Sequence, residues 1–114
     1  MSFNEDELRK IESATSGWLK KKARARITQS ILSWRPRIEK AKTLPEEQRL
    51  DELKHLVNEA TAARQRAVQN GANSHGHPEW AAAAVCESWL HELLGGSVEN
   101  IARVENLIDK LERR

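Results

Sequence analysis

The stretch Gly71–Trp80, GANSHGHPEW, sets His75 and His77 on either side of one glycine, places Glu79 two residues on, and is followed by Cys86 and His91. Imidazole, thiolate and carboxylate are the donors of a zinc site, which asks four of them to converge tetrahedrally. The spacing speaks against such a site. Cys86 and His91 stand about 140° apart on a helix turning 100° per residue, so they cannot close on one ion with the loop histidines. A plainer reading is that Ser74 or His77 caps a helix beginning at Pro78, which also explains a proline in a first turn. No metal and no cofactor is expected.

Acid–base and nucleophilic chemistry are no better served. Glu87 and His91 share a helix face at four residues' spacing and suit an ion pair that would raise the histidine's pKa. No Ser, Thr or Lys stands four residues from either of them to supply a nucleophile on the same stripe. Cys86 lies in an alanine run without a neighbouring cation to stabilise a thiolate, and reads as a small buried hydrophobe. No glycine-rich phosphate loop is present. The chain is read as having no catalytic residues and as not being an enzyme.

The cations form a stronger pattern. Residues 18–42 carry Lys20, Lys21, Lys22, Arg24, Arg26, Arg35, Arg37, Lys40 and Lys42 against Glu39 alone, a local balance of +8 within a chain whose net charge is +2. On a helix, Lys22, Arg26, Gln29, Ser33, Arg37 and Lys40 make one ridge opposite Ile27, Ile31, Trp34 and Ile38. The ridge is on the order of 27 Å long, suited to rows of phosphates. The competing reading is a solvated face neutralised by Glu46, Glu47, Asp51 and Glu52, the carboxylates that follow in sequence. Among the four tryptophans, Trp34 and Trp80 fall on inward faces, while Trp18 precedes three lysines and could stack on an unpaired base.

These residues need helices to position them. Asn4 with Glu7 signals a first helix from about residue 4, and Ser13–Gly17 is poor in helix formers and could break it. The apolar period resumes at Trp18 and runs through Ala23, Ile27, Ile31, Trp34 and Ile38, with a kink or restart predicted at Pro36. Thr43-Leu44-Pro45-Glu46 reads as a capping box opening a helix that Asn70-Gly71 stops. From Pro78 to Gly95-Gly96 the chain is apolar nearly all round and belongs at the centre. Ser97 caps a last helix whose Val98, Ile101, Val104, Ile108 and Leu111 form a narrow seam of the kind that pairs helices between chains.

Charged residues make up 32% and aromatics 4%, a composition that favours helix over sheet. The expected fold is all-α, one domain over residues 1–114, a bundle of four to five antiparallel helices with a long kinked first helix. No apolar run reaches the roughly 18 residues a membrane span requires. With an acidic N-terminus and one cysteine, the expected location is the cytoplasm and no membrane partner is foreseen. The functional expectation is a binding module docking its basic helix on nucleic acid or a ribonucleoprotein, by phosphate contacts rather than base readout. The alternative is a small protein-interaction subunit, an adaptor, inhibitor or assembly factor, using the ridge on an acidic partner or the C-terminal seam to form a homodimer.

Overall fold

The computed structural model describes residues 21–71 and 77–112, together with Asp6, Arg9, Lys10 and Ser13. Those four early residues have helical backbone. Trp18, Lys20, Ser74, His75 and most of the expected break at Ser13–Gly17 lie outside the described residues. Four helices and no strand occupy the described chain: α1 Lys21–Lys42, α2 Glu46–Gln69, α3 Pro78–Gly95 and α4 Val98–Glu112.

The predicted interruption at Pro36 does not divide α1, which runs through it as one helix. Proline removes the donor that would have served the carbonyl of Leu32, one turn back. Both Leu32 and Pro36 face solvent, so water can take the donor's place and the helix continues. On the opposite face Ile27, Ile31, Ile38 and Ala41 are buried.

The capping box at Thr43 does not form. The Thr43 hydroxyl donates instead to the carbonyl of Lys40 at 2.7 Å, closing the end of α1. The N-cap of α2 is Pro45, which offers no side-chain bond, and its carbonyl accepts the first helical amide from Arg49 at 2.7 Å. Glu46 and Glu47 in the first turn favour the helix dipole in its place. The far end of α2 behaves as its sequence suggests, because Gly71 takes φ +84° and donates to Val68, a left-handed stop that glycine adopts without strain.

Helix α3 is the centre. Every residue from Trp80 to Glu87 is buried, and α3 packs against each of the other three helices. Its alanines let α1 and α2 approach closely. Ser97 caps α4 through the amide of Asn100 at 3.1 Å, as its position predicts. Val104, Leu107, Ile108 and Leu111 of α4 then enter the same core as Ile27, Leu53, Leu56, Trp89 and Leu90. A buried hydrogen bond of 2.5 Å from the Thr28 hydroxyl to the carbonyl of Leu111 ties α1 to the end of α4. The radius of gyration, 13.5 Å, is that of a compact globule of this length.

Candidate binding surface on the basic helix

The groups that suggested chemistry are dispersed by the fold. His77 occupies the N-cap position of α3, where its carbonyl accepts from Ala81 at 2.9 Å, but its ring makes no capping bond. Glu79 is exposed and Cys86 fully buried, and burial pushes the Cys86 thiol up to about 12. Among the described residues no three His, Cys, Asp or Glu side chains gather in a way that could hold a metal ion. The expected Glu87–His91 pair does not form. Glu87 is buried and turns across to α2, where Arg64 meets it at 2.6 Å and the Thr61 hydroxyl donates to it at 2.5 Å. A buried carboxylate needs a full set of donors, and the guanidinium with the hydroxyl supplies them.

The cations of the basic helix divide into two groups. Arg35 bonds Asp109 of α4 at 3.2 Å and lies 3.8 Å from Glu39. Arg37 bonds Glu59 of α2 at 2.8 Å; that hydrogen bond holds the guanidinium's pKa above its usual value and Glu59 below its own. Lys42 reaches Glu39 and Glu105 of α4, each at 3.0 Å. Burial works against the Lys42 charge, but the hydrogen bonds to Glu105 and Glu39 outweigh it and raise its pKa. The same Glu105 oxygen accepts from the buried Trp89 indole at 2.9 Å, over which Lys42 lies 5.8 Å from the ring centroid. Trp34 is half-buried, with Arg37 5.6 Å above its ring. Neutralisation of this end of α1 is real, but its agents are Glu39, Glu59, Glu105 and Asp109. Of the carboxylates nearest in sequence, Glu46, Glu47 and Asp51 stand exposed, and only Glu52 adds a through-space pull on Arg37.

Lys22, Arg26 and Lys40 form the second group. All three are exposed and make no ion pair among the described residues. Gln29 and Ser33, which complete the ridge between them, are also exposed, and Leu32 beside them is 50% exposed. Lys21 and Arg24 belong to the first turns of α1, while Lys20 and Trp18 fall outside the described residues. The ridge therefore has open cations toward its two ends, with the uncharged Gln29 and Ser33 and the Glu59-paired Arg37 between them, a division that the sequence does not announce.

The C-terminal seam is placed differently from its expected role. Val104, Ile108 and Leu111 are buried within the chain's own core, Ile101 is half-buried, and only Val98 is fully open, at 83%. A narrow heptad-like stripe has the same pattern whether it meets a second chain or its own bundle. Sequence reasoning also missed the shallow cleft of about 250 Å³ where Ser30, Trp34, Arg66, Asn70 and Glu79 surround a floor of alanines from α2 and α3. Its signal was the thinning of the α2 face from leucine to alanine. Compared with known protein families, curated proteins and solved structures, the chain matches none.

Proposed function

We propose that the chain is a non-enzymatic binding module that lays the outer face of α1 on nucleic acid, free or within a ribonucleoprotein, with phosphate contacts supplying the affinity. One observation carries the reading: Lys22, Arg26 and Lys40 stay exposed, without an ion pair among the described residues, although carboxylates from two other helices neutralise Arg35, Arg37 and Lys42. Each open cation that meets a phosphate releases condensed counterions, so affinity falls steeply with salt.

The test is a salt titration of binding to duplex DNA. Lys22→Ala, Arg26→Ala and Lys40→Ala should each flatten the slope of log affinity against log salt by about 0.9 while leaving the melting temperature nearly unchanged. Arg37→Ala should do the opposite, lowering thermal stability modestly with little change in slope, because its partner is Glu59. Failure to bind duplex DNA, duplex RNA and single strands at low salt would sink the reading. The second reading, a protein-interaction subunit gripping an acidic partner, draws on the exposed Leu32 beside the same cations. A pull-down that survives nuclease treatment would favour it.

A further inference from the structure

We infer that the outer face of α1 enters the major groove of B-form duplex DNA and touches base edges there, a step that rests on the nucleic-acid reading above and adds base contacts to it. Lys22 and Arg26 stand toward one end of the helix and Lys40 toward the other, all exposed. Between them the outward positions include the uncharged Gln29, Leu32, Ser33 and Pro36, all exposed, while the exposed Arg37 at the edge of this face is held by Glu59 at 2.8 Å. Apart from Arg37, these residues fall within about 120° of one helix face at 100° per residue. A helix crossing a groove needs this distribution: cations where the two phosphate strands pass, and uncharged side chains over the bases between them.

The middle residues carry chemistry that base edges can use. An amide such as that of Gln29 can pair with adenine by giving a hydrogen bond to N7 and taking one from N6, and an exposed leucine suits the thymine methyl group. Arg26 and Lys40 are roughly 21 Å apart along the axis at 1.5 Å per residue. That span reaches the strands on both sides of a groove about 12 Å wide. Duplex RNA offers no equivalent, because its A-form major groove is too deep and narrow for a helix to read. The one carboxylate close to this face, Glu39, is held by Lys42 at 3.0 Å and by Arg35 at 3.8 Å, which blunts its repulsion of phosphate.

The experiment is selection of the whole chain on a randomised pool of DNA duplexes, followed by affinity measurements on the selected DNA and on duplex RNA of the same sequence. Selection should enrich an A·T pair at a fixed position, and the DNA should bind more tightly than the RNA. Gln29→Ala should cost roughly tenfold in affinity for the selected DNA, remove the preference at that position and leave the salt slope unchanged. Lys40→Ala should flatten the slope without altering the preference. Both positions are exposed, so the variants should fold, and a thermal melt checks this. A pool that returns unselected, or RNA bound as tightly as DNA, overturns the base-reading step and leaves phosphate binding standing. Absence of binding to any duplex at low salt overturns the base-reading step, and absence of binding to single strands as well overturns both.

Discussion

Arg64 approaches Glu87 at 2.6 Å at a point where the carboxylate is buried under α2, with the Thr61 hydroxyl on its other oxygen. A buried pair of this kind contributes little net stability, since the desolvation of two charges offsets their attraction, yet it is costly to break from one side. Arg64→Ala should lower unfolding stability by about 3–5 kcal/mol, because it leaves a carboxylate in the interior with one hydroxyl for company. Joint replacement, Arg64→Met with Glu87→Leu, should restore most of the loss. Urea denaturation of the three proteins checks the point, and a double variant as unstable as the single one would show that the charges themselves are needed. Cys86 is the quiet neighbour of this site, its thiol raised to about 12 by full burial and out of reach of any electrophile while the fold holds.

At the scale of elements, α4 shows how one apolar stripe can be covered from within its own chain. Val104 and Ile108 are fully buried inside one chain. Ile108→Ala should therefore cost about 2–5 kcal/mol through lost burial and the cavity left behind. The loss should be the same at every protein concentration, with no change of mass in light scattering. A dimer held by the seam would instead make the melting temperature depend on concentration. The helices themselves were readable from the sequence because their causes are local: the period of Ile27, Ile31 and Ile38, the Ser97 cap, the glycine stop at Gly71 and the apolar run after Pro78. Cap detail was less readable, since Thr43 had two carbonyl and amide choices and took the one behind it. The ion-pair partners on other helices were not readable at all. Arg37 finds Glu59 22 residues on, Lys42 finds Glu105 at 63 and Arg35 finds Asp109 at 74, and such choices exist only once the helices have docked.

For the molecule as a whole, the small net charge conceals a polar distribution, with open cations on one helix and exposed acids at the start of the next. At the sequence pI of about 8.9 the average charge vanishes, but the local field on α1 does not. The protein should be retained on a cation exchanger at that pH, and the triple variant Lys22→Ala, Arg26→Ala, Lys40→Ala should elute at distinctly lower salt. Equal elution of the two would place the dominant field elsewhere. The central position of α3 has a consequence of another kind. Its residues from Trp80 to Glu87 are all buried, Ala81, Ala82 and Ala84 within the core and Ala83 beneath the cleft. An ordinary amphipathic helix tolerates change on its wet face and resists it on the dry one, so its tolerance to substitution rises and falls with every turn. Apart from Ala83 on the cleft floor, this segment has no wet face, and enlarging Ala81, Ala82 or Ala84 costs about 1–3 kcal/mol in displaced neighbours. Its permissible vocabulary is uniformly small from end to end, and a record of tolerated substitutions along it would show a flat trough with no 3.6-residue beat.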